Sequence, residues 1–178
     1  MLEKILVAID RSEMRRDVFA KALVLAQATN VNLMLLHVLS DQEEGSPMFP
    51  VYYSFLEQPV NEMARRQYQE QWEAFSKQGL DILRLLTDEA TAAGVETEFS
   101  QLSGDPGKTI CDLASNWEAD LIIMGRRGYS GIKEIFLGSV SSYVTHHAPC
   151  SVMIVQGTKP AKEQALSQEE AELSSSLK

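Results

Sequence analysis

The chain has 178 residues, of which 44% are hydrophobic and 23% are charged, and its formal net charge is −9. This length predicts one domain with a sizeable core, because domains usually contain about 100–200 residues. The acidic balance excludes general nucleic-acid binding, which needs a basic face, but it leaves a nucleotide open because local amides and basic groups can oppose the overall charge.

The first part of the chain alternates between apolar runs and helical periodicity. The apolar runs at residues 4–9 and 31–39 predict two buried strands. Between them, apolar side chains recur every three or four residues from Met14 to Ala26, which predicts an amphipathic helix ending at Asn30. Residues 40–59 then break the pattern and predict a long loop. Its aromatic side chains either pack the loop onto the domain or serve a function.

The second part continues the alternation. It predicts a long helix at residues 60–93 capped by Gly94, an edge strand at 95–100, and a helix begun by Asp105 and Pro106. A strand at 120–124, a helix at 139–146 and a strand at 150–155 complete the pattern. This β-α-β-α-β-α-β-α-β order predicts right-handed crossovers and a mainly parallel sheet between two layers of helices.

A glycine pattern follows the fourth strand. Residues 125–128 read Gly-Arg-Arg-Gly, and Gly138-Ser139 opens the next helix, which gives the spacing G-x2-G-x9-G-S. Backbone amides near glycines and at a helix start bind phosphate oxygens. The first two glycines alone are better explained as turn residues, because glycines that follow a strand usually serve a turn. Their combination with Gly138-Ser139 is what indicates a phosphate site.

Other candidate residues lie at the predicted carboxyl ends of the strands, where ligands of open parallel sheets bind. Asp10 follows the first strand and can accept from ribose hydroxyls, hold Mg²⁺ or cap the next helix. Val38 and Met124 offer apolar walls to a flat base. His37 is expected to be a hydrogen-bonded core histidine rather than a base. Cys111 and Cys150 show no metal-ligand spacing and are expected to be free, buried thiols.

These residues together resemble the universal stress proteins (UspA-like), in their ATP-binding subclass. The resemblance covers residues 2–156 and rests on residues 5–10, His37-Val38, residues 104–106, the glycine pattern and residues 148–152. It implies a three-layer α/β sandwich of the adenine nucleotide alpha hydrolase-like fold, with a five-stranded sheet in the order 3-2-1-4-5. It also implies a homodimer that pairs through the last strand, residues 150–155.

The resemblance further implies an ATP site, with residues carried over by their position in the motifs. Ala8, Val38 and Met124 would line the adenine pocket, and Asp10 would contact ribose or Mg²⁺. The phosphates would be held by two groups of residues, the loop residues Gly125, Arg126 and Gly128 and the helix-start residues Gly138, Ser139, Val140 and Ser141.

The domain is expected to span residues 1–156, with 40–59 as a loop insertion and 157–178 as a polar, flexible tail. We expect a cytoplasmic regulatory stress-response protein in which ATP orders residues 125–139 and so alters the surface offered to a protein partner. Membrane and secretory segments are not expected, because no apolar run approaches ~18 residues and the first one is interrupted at Asp10.

Two alternatives stay open. The first is a slow ATPase or nucleotide hydrolase, although the chain lacks the P-loop motif G-x4-G-K-[ST] and the dinucleotide motif G-x-G-x-x-G after its first strand. The second is a dimeric interaction module that binds another adenine nucleotide.

Overall fold

The computed structural model describes residues 2–48, 62–126 and 137–156. Within these ranges, strands and helices alternate from the first strand to the last. The strands are β1 (Lys4–Ala8), β2 (Asn32–Leu39), β3 (Thr97–Ser103), β4 (Leu121–Gly125) and β5 (Ser151–Val155). The helices are α1 (Met14–Thr29), α2 (Glu62–Ala92), α3 (Pro106–Asn116) and α4 (Ser139–His147).

The described strands form a five-stranded sheet in the order β3-β2-β1-β4-β5, and every neighbouring pair is parallel. β1 lies at the centre, where Val7 is opposite Leu35 of β2 and Ile123 of β4. The order predicted from the resemblance is therefore confirmed. Because the chain order reverses between β1 and β4, the connections that follow these two strands lead to helices on opposite faces of the sheet and leave a crevice at its carboxyl edge.

Helices cover both faces of the sheet, and each face has its own apolar core. Alternate residues of the strands point to opposite faces, as the period of a strand requires. On one face Val7 and Leu35 pack with Phe19 of α1 and Leu83 of α2. The other face buries the strand residues Leu6, Leu36 and Ile122 against Ile110 of α3 and Val144 of α4. The structure thus has the three layers that the sequence predicts.

The helix ends follow the expected local chemistry. Asn30 ends α1 in the left-handed conformation with φ of 55°, and Gly94 follows α2 with φ of 81°. Asp105 caps α3 by accepting a hydrogen bond of 2.9 Å from the backbone N–H of Lys108. These three predictions are confirmed.

The strand boundaries differ from the predicted ones by a few residues. The largest difference is in β3, which was predicted at residues 95–100 and is observed at Thr97–Ser103. The additional residues 101–103 include the polar side chains of Gln101 and Ser103. Backbone pairing with β2 continues to the Leu39–Ser103 pair, and an edge strand tolerates polar side chains because much of it faces solvent.

Two further predictions fall wholly or partly outside the described residues. Residues 49–59 of the predicted insertion and the tail at 157–178 are not described, whereas residues 40–48 are. Gly128 of the glycine pattern also lies outside the described residues.

Candidate functional site

A cavity of about 490 Å³ opens at the carboxyl edge of the sheet. This volume lies within the usual range of small-molecule sites, roughly 300–1,000 Å³. The cavity occupies the crevice between β1 and β4, and the amino ends of α3 and α4 also border it. Its lining residues are Ala8, Ile9, Asp10, Arg11, Ser12, Leu36, His37, Val38, Gln42, Glu43, Glu44, Pro106, Ile110, Met124, Gly125, Gly138, Val140 and Ser141.

The walls next to the sheet are apolar. Met124 and Ile110 are 5% and 3% exposed, and Val38 is 9% exposed, so little of each side chain reaches solvent. Ala8 ends β1 between them, and its small side chain leaves room at the bottom of the cavity. A flat apolar group therefore fits against this wall better than a charged one.

Asp10 lies at the rim, directly after β1. Its Oδ1 atom accepts hydrogen bonds from the backbone N–H of Ser12 at 3.0 Å and from the Ser12 hydroxyl at 2.5 Å. The N-cap position of α1 belongs to Glu13, so neither Asp10 nor Ser12 caps this helix. No donor among the described residues contacts Oδ2 of Asp10, which leaves this atom able to accept from a ligand hydroxyl or bind a cation.

The amino end of α4 borders the cavity from the opposite side. Its N-cap is Gly138, which has no side chain, and no side chain in the described part of the chain caps the helix. α3 differs, because there the carboxylate of Asp105 takes that position. The hydroxyl of the buried Ser141 donates to the carbonyl of Gly138 at 3.0 Å. The first-turn amides of α4, with the positive end of the helix dipole, are therefore suited to an anion.

Gly125 lies close to α1, a contact that the sequence pattern does not show. A Cβ atom placed on it would lie 3.3 Å from Cγ2 of Val18 and 3.7 Å from Cβ of Met14, both on α1. Close packing between β4 and α1 thus disfavours a side chain at this position. A bulky substitution here would disturb that packing, so it would not report on ligand binding alone.

A buried polar network lies behind the rim. His37 is only 2% exposed, and its Nε2 atom is 3.1 and 3.0 Å from the two carboxylate oxygens of Glu43. Its Nδ1 atom is 3.0 Å from Nε2 of Gln101. The backbone N–H of Arg11 donates to Oε1 of Glu43 at 3.1 Å. The prediction that His37 is a hydrogen-bonded core histidine is confirmed.

The structure brings most of the predicted site residues to one cavity. Ala8, Asp10, Val38, Met124, Gly125, Gly138, Val140 and Ser141 all line it. Ser139 is exposed, and the backbone N–H of Arg126 donates to the carbonyl of Val155 at 2.9 Å; neither residue lines the cavity. Their phosphate contacts, like that of Gly128, stay predictions.

Sequence reasoning missed part of the wall. Gln42, Glu43 and Glu44 line the cavity from the loop after β2, and Pro106 and Ile110 line it from α3. The acidic run at residues 41–44 gave a weak signal, because it follows a predicted strand on the ligand-binding edge of the sheet. Such runs are also typical of solvated loops, and the pattern alone does not separate the two.

The remaining reactive groups do not point to a metal or a nucleophile. Cys111 and Cys150 are free, as predicted, although Cys150 is only half-buried. Burial raises the pKa of both thiols, with smaller contributions from Asp112 at Cys111 and from Asp120 at Cys150. No group of three or more His, Cys, Asp or Glu side chains in the described ranges could hold a metal ion.

Among the residues described here, no helix is long and apolar enough to cross a membrane.

Fold and cavity together define an α/β sandwich with a small-molecule cleft at its topological switch point. The model of the universal stress protein family matches residues 1–156. The chain belongs to this family.

Relatives support the assignment. The universal stress protein Sll1388 of Synechocystis sp. is 37% identical over 153 residues, which are 86% of this chain and 97% of that protein. The solved structure of the universal stress protein UspA from Lactobacillus plantarum is similar, with a TM-score of 0.67 and 26% identity over 86% of this chain and 97% of that one.

A second similar structure contains a ligand. A universal stress protein family protein from Arabidopsis thaliana, solved with AMP bound, has a TM-score of 0.58. It is 20% identical to this chain, covering 90% of this chain and 94% of that one. At this identity the likeness shows the shared fold, and the AMP is a property of the plant protein.

Proposed function

We propose that the cavity binds an adenine nucleotide, ATP with Mg²⁺, and that the chain is a cytoplasmic regulatory protein of the stress response. One observation carries the proposal. The amino end of α4, where the N-cap is Gly138, and the apolar wall around Met124 border the same cavity, so one molecule with an anionic end and a flat apolar end can satisfy both. Family membership, together with the AMP in the plant structure, favours adenine as the base.

The proposed orientation follows from the chemistry of the two ends. The base lies against Ala8, Val38 and Met124, and Asp10 accepts from the ribose hydroxyls through its Oδ2 atom. The phosphates approach the amides of the first turn of α4, at Ser139, Val140 and Ser141, next to Gly138. Gly125, Arg126 and Gly128 complete the phosphate end in this proposal.

Mg²⁺ fits this arrangement only together with the nucleotide. In place of the ribose contact, Asp10 can supply a carboxylate at the rim, and Mg²⁺ is commonly held by one or two carboxylates plus phosphate oxygens and water. The ion would neutralise part of the phosphate charge next to the carboxylates of Asp10 and Glu44. We therefore expect ATP to bind more weakly when EDTA removes the metal.

The proposed regulation is a shift in population. ATP would favour one arrangement of residues 125–139 by its contacts with that segment, and so change the surface offered to a protein partner. A homodimer formed through β5 belongs to the same proposal, since the outer edge of that strand has no partner strand among the described residues.

Isothermal titration calorimetry with ATP and with AMP, in Mg²⁺ buffer, tests the proposal. We expect saturable binding by the wild type at micromolar to millimolar ATP. Ala8→Leu fills the bottom of the cavity and should weaken binding at least tenfold. The matched control Ala74→Leu makes the same change at an exposed position of α2 and should bind normally.

Asp10→Ala provides a second variant in case Ala8→Leu misfolds, because Asp10 is exposed. Folded wild type that gives no binding signal would refute the proposal. Equal affinity in the Ala8→Leu and Ala74→Leu proteins would place the nucleotide elsewhere. Phosphate release measured over several turnovers distinguishes the slow-ATPase alternative, which requires more than one phosphate per protein molecule.

A further inference from the structure

One side chain of the loop after β2 joins the segments that form this wall of the cavity. Glu43 is 12% exposed, and its carboxylate connects three segments that are separate in the sequence. It accepts from His37 at the end of β2 and from the backbone N–H of Arg11 in the turn after β1. Glu43 itself lies in the loop, so these bonds fasten the loop to both strands.

The hydrogen bonds around Gln101 define the protonation pattern of His37. Nε2 of Gln101 donates to the carbonyl of Ser76 at 3.0 Å, while its Oε1 accepts from the Ser76 hydroxyl at 3.0 Å. The amide is therefore oriented with its nitrogen toward Nδ1 of His37, which must accept. A neutral His37 ring then carries its proton on Nε2, and this N–H donates a hydrogen bond to the carboxylate of Glu43.

The helix behind this network is shaped to accommodate it. Gly79 lies in the middle of α2, where glycine costs about 1 kcal/mol relative to alanine. A Cβ atom at this position would lie 2.5 Å from Nδ1 of His37 and closer still to Nε2 of Gln101. The glycine is therefore required by the His37–Gln101 pair. A polar chain thus runs from α2 through β3 and β2 to the rim of the cavity.

We propose that Glu43 and His37 are positioning residues of the nucleotide site. The chain Gln101–His37–Glu43 holds the loop at residues 40–44 and the turn at Arg11 in the arrangement that forms one wall of the cavity. Glu43 acts through these two contacts rather than through the ligand. This inference rests on the proposed function, because its effect is measured as nucleotide affinity.

The predicted effect follows from the number of acceptors. The carboxylate of Glu43 offers acceptors to both donors, whereas the amide in Glu43→Gln replaces one oxygen with a donor that opposes Nε2–H of His37. The loop then loses one of its two anchors and occupies the binding arrangement for a smaller fraction of the time. Because the apparent Kd rises as that fraction falls, we expect about tenfold weaker ATP binding.

Gln101→Met tests the positioning role at a distance. Gln101 does not line the cavity, so its effect on ATP affinity is indirect, and in this proposal it passes through His37 and Glu43. We expect a loss of about threefold, because Nδ1 of His37 is then free to be protonated and Nε2 is no longer held as the donor. The control is Glu98→Gln on the same strand, an exposed position that makes an identical charge change to Glu43→Gln.

Calorimetry with ATP and ¹⁵N NMR of the His37 ring together decide the outcome. The wild type should show a protonated Nε2 and an unprotonated Nδ1, and Gln101→Met should show a mixture of tautomers. A protonated Nδ1 in the wild type would overturn the inference whether or not ATP binds. If the wild type binds ATP and both variants bind it equally well, the positioning role fails and the proposed function stands. If the wild type binds no ATP, both fail.

Discussion

Gly79→Ala should destabilise the protein, although the substitution would stabilise most helices. Gly79 lies well inside α2 and is buried, so alanine there would normally gain about 1 kcal/mol from helix propensity. The added methyl group, however, would lie 2.5 Å from Nδ1 of His37. Real Cβ atoms essentially never approach another heavy atom this closely, so His37 or Gln101 must move.

The size of the effect depends on whether these side chains can give way. His37 is 2% exposed, and its ring is hydrogen-bonded to Glu43 and Gln101, so a movement of the ring would break these bonds. Overpacking of this kind costs about 1–3 kcal/mol. A displaced Gln101 amide also leaves buried polar groups without partners, at a further cost of about 1–3 kcal/mol. After the gain in propensity, we expect a net loss of about 1–5 kcal/mol in the free energy of unfolding.

Urea denaturation followed by circular dichroism measures this loss. Thr91→Ala is the matched control, because Thr91 is an exposed position of the same helix and its replacement tests propensity alone. The control should gain about 0.5 kcal/mol. If Gly79→Ala is as stable as the wild type or more so, the His37–Gln101 pair does not lie against the helix as described, and the explanation of this glycine is wrong.

Three further predictions concern the rest of the fold. Asp105→Ala should lower the free energy of unfolding by about 1 kcal/mol in urea denaturation, because α3 loses its N-cap. Hydrogen bonds from the backbone N–H groups of Glu3 and Lys4 hold the pKa of Asp120 below its ordinary value of 3.8. Asp120→Asn should therefore be less stable than the wild type at pH 7, and thermal melts should show the difference shrinking as the pH falls below 3.8. Cys111 and Cys150 should react with a thiol reagent at pH 8 more slowly than an unfolded control, because burial raises their pKa values.

The order of the elements was predictable from local patterns. The apolar run at β1 and the helical spacing in α1 each repeat over enough residues to identify the element. Asp105 with Pro106 marks a helix start by its own chemistry. The end of β3 was less predictable, because its last residues are polar and belong to the strand only through backbone pairing with β2.

The candidate site was predictable where a motif carries it. Asp10 follows β1, Val38 lies at the carboxyl end of β2 and Gly138 begins α4, so their positions in the fold bring them to the same edge. The role of Glu43 was not predictable, because its contacts with His37 and Arg11 depend on how three segments meet. Gln101 is 64 residues away from His37 in sequence. No local pattern reports such a pair. The helical pattern around Gly79 likewise gives no sign that this residue lies against His37 and Gln101.

Gly125 illustrates a motif residue with more than one constraint. Its place in the glycine pattern predicts close approach by a phosphate. The structure also puts α1 against it, through Val18 and Met14. The sequence pattern alone does not tell whether phosphate binding or packing against α1 requires the glycine.

Nucleotide binding in this particular cavity is the central claim, and NMR titration of isotope-labelled protein with ATP and Mg²⁺ tests it most directly. The account predicts saturable shifts in the resonances of Ala8, Val38, Met124 and Ser141, which lie on opposite sides of the cavity. The resonances of residues at the amino ends of the strands, such as Asn30 and Val95, should not shift. Shifts confined to those ends, or none at all at saturating ATP, would contradict the account.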